Sequence, residues 1–185
     1  FDDGYADNLT NAAPILARHG AHGTFFIATD FIDGGRMWND GVIDSVRNTH
    51  RDEIDADWLG LGHLSLGSVD ARRSALEKII PALKHLPGSQ RSEAVARMGE
   101  CCQVRLSDNP MMSRMQLQEL NQMGMGIGAH TCSHPILANT DPMRARDEMG
   151  QSREVLEALL GRRVGLFAYP NGKPGRDYHQ AHVDM

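Results

Sequence analysis

The residue types and spacings best suited to chemistry lie in residues 128–137, G-A-H-T-C-S-H-P-I-L, where His130 and His134 stand four apart. Imidazole nitrogens are common metal ligands, and spacing decides whether two of them can share an ion. In an extended chain, at about 3.3 Å per residue, the two Cα atoms would lie roughly 13 Å apart, too far to do so. One turn of helix brings the Cβ atoms within roughly 6 Å, and both rings then reach an ion at about 2.0–2.1 Å. The pair would supply two of three ligands. With nine histidines in the chain, the same spacing also arises between two ordinary polar loop residues.

Phe1-Asp2-Asp3-Gly4-Tyr5 offers what the pair lacks. Two carboxylates before a glycine are a common turn composition. They also fit a catalytic site, in which three protein ligands leave one position for water and a neighbouring carboxylate serves as base. Adjacent aspartates can divide the roles of ligand and base. Cys132, between the histidines, would point away from their shared face on a helical turn and is not expected to bind metal.

These residues need elements to position them. The run Met125-Gly126-Ile127-Gly128-Ala129 is uncharged and reads as a buried strand delivering His130. Residues 22–28 contain Thr24-Phe25-Phe26-Ile27, a second buried strand, and 164–169 reads as a third, running into the turn cluster P-N-G-K-P-G. Apolar residues at helical spacing predict helices over 7–19, closed by Gly20, over 41–50, over 69–86 with a kink at Pro81, and over 89–104. Ser113 is expected to cap a helix over 115–123. Over 141–160, Asp141 is the cap, Pro142 the first helical residue and Gly161 the stop. Residues 52–66 suggest a small hairpin, 29–39 a loop holding Trp38, and 107–110 a turn. Successive helices suggest a helical insertion around 69–123 within a single domain spanning 1–185. Methionines 111, 112, 115, 123 and 125 read as core filling.

In order along the chain, F-D-D-G-Y, H-T-C-S-H-P and F-A-Y-P-N-G-K-P-G resemble the polysaccharide deacetylases of the NodB-homology type, carbohydrate esterase family 4. The continuations Y-A-D-N-L-T and F-A-Y-P-N-G-K-P-G-R-D-Y are most similar to the branch associated with exported-polysaccharide systems. The resemblance implies an α/β fold, a distorted (β/α) barrel with fewer than eight repeats, whose chemistry sits on loops at the strand C-termini as in other barrels. It implies hydrolysis of N-acetyl groups on an amino-sugar polysaccharide or oligosaccharide. Asp3, His130 and His134 would bind a divalent metal, zinc foremost, and Asp2 would act as base. Tyr169, Pro170 and Asn171 would lie near the substrate, with a backbone N–H near Asn171 facing the developing oxyanion. Trp38 would be either core or a ring for stacking on sugar.

Two departures stand out. The commoner third motif is F-R-P-P-Y-G, whereas this chain reads F-A-Y-P-N-G, so the arginine that orients the base is absent. The general-acid histidine belongs to a later motif; His179 and His182 read as surface residues. The chain begins with Phe1 rather than methionine, and a strand before it and a closing strand after Met185 are expected to be missing. The two gaps support a competing reading, a glycan-binding module of the same fold without catalysis. A related amidase acting on a small cyclic amide is another. A structural metal is disfavoured, since such sites take four closed, cysteine-rich ligands.

At 185 residues the chain suits one domain with a sizeable core. The net charge of -5, with basic residues scattered, argues against nucleic acid as a partner. No apolar run approaches the ~18 residues needed to span a bilayer. Three cysteines, two of them adjacent, imply no disulfide framework.

Overall fold

The computed structural model of the chain describes residues 1–84, 86–106 and 110–185. Helix α1 (Ala13–Arg18) follows a π-helical turn at Asn8–Ala12, and β1 (Thr24–Ile27) follows α1. Then come α2 (Trp38–Asn48), β2 (Glu53–Asp55), β3 (His63–Ser65), α3 (Val69–Lys84) and α4 (Gly88–Cys102). The remainder holds α5 (Arg114–Gln122), β4 (Gly126–Ala129), α6 (Pro142–Leu160) and α7 (Gln180–Val183). The turn expected at 107–110 falls mainly on 107–109, outside the described residues.

Contacts divide the chain into two units, Phe1–Gly35 with Asn109–Met185, and Arg36–Asp108. In the first, β1 and β4 pair in parallel, Phe25 opposite Ile127 and Ile27 opposite Ala129. β1 alternates, with Phe25 and Ile27 inward; each such side chain stabilises by about 1.5–3 kcal/mol on burial. Their core includes Leu117, Leu120, Ile127 and Leu156. Gly128 is required by close packing, because a Cβ there would lie 2.5 Å from the Phe26 ring and 3.0 Å from the Leu166 carbonyl oxygen.

The caps form as the sequence reads. Ser113 and Gln116 make a reciprocal capping box on α5. Asp141 accepts from the Met143 and Arg144 amides on α6, and Gly161 closes that helix at φ 65°. The third expected strand, 164–169, is reduced to one parallel bridge between Ala129 and Phe167. Among the described residues the ladder does not close on itself, and the architecture is α/β.

In the second unit, the β2–β3 hairpin pairs Ile54 with Leu64 and turns both inward. With Val42, Val46, Ile79, Leu83 and Met98 they form one core. Trp38 is not in a loop. It opens α2 and packs on this core, with the Arg91 guanidinium 5.2 Å from its ring centroid. Its ring serves packing there.

Candidate metal centre

The first motif and His130 are positioned by the β1–β4 ladder. The first motif runs beside β1: the Phe26 amide donates to the Phe1 carbonyl at 2.8 Å and the Ala28 amide to that of Asp3 at 3.2 Å. Phe1 stacks on Phe25 with ring centroids 4.7 Å apart. Gly4, at φ 95°, turns the chain where a Cβ would press on Ile27 at 3.2 Å. His130 leaves the end of β4 with its amide bonded to the Ile27 carbonyl at 3.0 Å. Residues from distant parts of the sequence thus meet at the strand ends.

Asp3, His130 and His134 present one ligand atom each, all within 4.8 Å of one another. Asp3 Oδ1 lies 3.4 Å from His130 Nε2 and 3.2 Å from His134 Nε2. The imidazole centroids are 4.9 Å apart. His130 is almost fully buried, with its side chain 3% exposed, while those of His134 and Asp3 are 16% and 23% exposed, so the group is open to solvent on one side. Burial raises the pKa of Asp3, but with both rings protonated the hydrogen bond with His130 and the charges of His134 and His130 outweigh it and hold the carboxyl below its ordinary value.

Ala168 fixes the tautomer of His130. Nδ1 lies 2.8 Å from the Ala168 carbonyl oxygen, which can only accept, so the proton sits on Nδ1 and, in the neutral ring, the Nε2 lone pair faces Asp3. A lone pair directed at a carboxylate is an arrangement that a cation between them relieves. The donor set of two imidazoles and one carboxylate also fits a catalytic zinc, and the carbonyl partner on the far ring nitrogen is the usual support for such a ligand.

The histidines are not brought together by a helical turn, as the spacing alone predicts. Residues 130–134 are irregular, with Thr131 at φ 64° and His134 at φ 56°. Two left-handed residues fold the loop back so that the rings approach. The His134 amide donates to Thr131 Oγ1 at 3.1 Å. Asp3 at φ 75° and Asn171 at φ 64° are also left-handed. Four of the six non-glycine positive-φ residues among the described ones therefore fall in the three motifs, the clustering expected where strain serves a site.

Asp2 is exposed and does not join the cluster. Tyr169 stacks on Tyr178, centroids 4.0 Å apart, meets Phe167 edge-on and donates its hydroxyl to the His182 carbonyl at 3.4 Å. Pro170 is buried and Asn171 exposed. Cys132 is buried beside Glu148, outside the cluster. His179 is exposed, but His182 is not the surface residue the sequence suggests: it is 6% exposed, and its Nδ1 accepts from the His179 amide at 2.9 Å. A second group, Asp55, Asp57 and His63, lies exposed on the hairpin.

Sequence reasoning missed the Ala168 carbonyl, a backbone group that no side-chain pattern announces. It also missed Glu148, which a signal did mark. On α6 the buried positions are Ala145, Glu148, Ser152 and Leu156, so an acidic residue stands on the helix's inward stripe.

The α/β fold thus brings one carboxylate and two imidazoles, a group that could hold a metal ion, together beside a parallel strand pair. The family model described as polysaccharide deacetylase matches residues 1–185, and the chain belongs to that family. Among curated proteins none matches. Of solved structures, it is similar to the Streptococcus pyogenes deacetylase PplD in complex with acetate, at 18% identity and TM-score 0.54, covering 100% of this chain and 48% of that one. It is similar to IcaB from Ammonifex degensii, at 16% identity and TM-score 0.53, covering 100% and 52%. The BpsB deacetylase domain from Bordetella bronchiseptica matches at 16% identity and TM-score 0.51, covering 100% and 58%. These are likenesses of fold, and the chain spans about half the length of these structures.

Proposed function

We propose that the chain hydrolyses N-acetyl groups on an amino-sugar polysaccharide, with Asp3, His130 and His134 holding a divalent ion, zinc foremost, and Asp2 as base. The observation that carries this reading is the convergence of those three ligands, one histidine locked by Ala168. Membership of the polysaccharide deacetylase family supports the substrate class, and the motif resemblance supports the exported-polysaccharide branch. When bound, such an ion acidifies a water and polarises an amide carbonyl.

The chain's own residues supply the rest. The Asp2 carboxylate, exposed one residue from Asp3, accepts a proton as water adds to the acyl carbon. The carbon–nitrogen bond then breaks, the nitrogen takes up a proton, and acetate and a free amine leave. The third-motif turn, with Tyr169, Pro170 and left-handed Asn171, lines the substrate side, and a backbone N–H near Asn171 faces the developing oxyanion. We read the β1–β4 ladder and its bridge to Phe167 as an arc of a distorted (β/α) barrel with fewer than eight repeats, and Phe1–Met185 as one deacetylase domain into which a helical unit is inserted.

The test is acetate release from N-acetylated oligosaccharides with and without chelator, followed by zinc add-back. Chelator-sensitive release supports the proposal. Glycan binding with no release at any zinc concentration would make this a binding module, and hydrolysis confined to small cyclic amides would make it an amidase.

A further inference from the structure

The carboxylate of Glu148 lies 7% exposed on the inward stripe of α6. A carboxylate there needs donors, and among the described residues those it has come from the loop between the two histidines. Oε2 accepts from the Cys132 amide at 3.0 Å and the Ser133 amide at 2.8 Å. Oε1 accepts from Ser133 Oγ at 2.6 Å. The same loop's carbonyls are held from elsewhere, that of Thr131 by the Thr29 amide at 3.1 Å and that of Cys132 by the Asp30 amide at 3.0 Å. Donors and acceptors of a turn with left-handed residues are thus satisfied by different elements.

We infer that Glu148 is a positioning residue for the metal centre, acting through His134, an inference that rests on the metal-binding reading above. His130 has its own restraints, its amide on Ile27 and its Nδ1 on Ala168. His134 ends the turn, its amide on Thr131 Oγ1 and its backbone left-handed, a conformation that surrounding bonds must hold. Without the Glu148 carboxylate the buried Cys132 amide and the half-buried Ser133 amide lose their acceptor, the turn relaxes to satisfy them, and His134 Nε2 moves off Asp3.

The experiment measures zinc affinity by competition with a chromophoric chelator, and the visible spectrum of the cobalt(II) form, for the parent, Glu148→Ala, Glu148→Gln and Ser133→Ala. Thermal melts in chelator report the fold separately. Glu148→Ala should bind zinc about 10- to 100-fold more weakly, the usual effect of losing an outer-shell partner, with a changed cobalt spectrum. Glu148→Gln should recover most of the affinity, because its carbonyl oxygen can take both amides while Ser133 reverses its hydroxyl bond. Should Glu148→Ala fail to melt cooperatively, Ser133→Ala decides, since it removes one of the three bonds without touching α6; several-fold weaker zinc is expected. Parent affinity and an unchanged cobalt spectrum in a folded Glu148→Ala, or in Ser133→Ala where the former does not fold, overturn the inference. A parent that binds no zinc removes it together with the metal reading. A parent that binds zinc but releases no acetate defeats only the hydrolase proposal.

Discussion

His130 Nδ1 lies 2.8 Å from the carbonyl oxygen of Ala168, which ties the second motif's first histidine to the third motif. The bond commits Nε2 to Asp3 and makes His130 the least adjustable member of the cluster. Replacing His130, His134 or Asp3 by alanine should each reduce zinc binding strongly, measured as metal content after dialysis. Retention of stoichiometric zinc by any two of the three variants would remove the cluster from the metal reading.

Asp2→Asn should leave zinc content unchanged and lower acetate release by about 10²–10⁴, the range for losing a general base. Stopped-time acetate assays beside metal analysis separate the two effects. Loss of zinc in this variant would mean that the roles of Asp2 and Asp3 are exchanged.

Tyr169 is engaged by Tyr178, which stacks on its ring, and by Phe167, which meets it edge-on. Tyr169→Phe keeps the ring and removes one long hydrogen bond, so stability should fall by no more than about 1 kcal/mol, with acetate release near the parent's. A tenfold loss of turnover at unchanged stability would instead assign the hydroxyl to substrate.

Gly128→Ala should destabilise the first unit by about 1–3 kcal/mol, the cost of overpacking, because the added methyl would meet the Phe26 ring at 2.5 Å and backbone at 3.0 Å. Denaturant melts check it. An unchanged midpoint would show that Phe26 moves aside freely.

Burial, then the neighbouring Cys101, pushes the Cys102 thiol up to about 11, and burial raises that of Cys132 as well. Iodoacetamide at pH 8 should therefore label Cys101 first and reach the other two only on unfolding, as peptide mapping would show. The raised Cys102 thiol pKa contributes nothing to stability below the ordinary value near 9.0 and costs stability as pH rises from there towards 11, because the unfolded chain loses that proton first. Rapid labelling of Cys102 in the folded chain would contradict its burial.

Much of this architecture was legible because its causes are local. Ser113 and Gln116 cap α5 across three residues, and Asp141, Pro142 and Gly161 mark α6 through neighbours in sequence. The alternation of Phe25 and Ile27 and the inward pair Ile54 and Leu64 follow from strand periodicity. The spacing of His130 and His134 and the paired aspartates named the site's members for the same reason. Tertiary structure decided how they meet. A helical turn is the cheapest local way to join histidines four apart, yet the loop takes two left-handed residues instead, because Glu148, Thr29 and Asp30 bind its backbone from other elements. Trp38 reads as a loop residue until a core forms beneath it, and residues 164–169 read as a strand although their pairing is confined to one bridge, Phe167 opposite Ala129. In each case the deciding bond or contact comes from a distant part of the chain, and its energy is absent from any window of neighbouring residues.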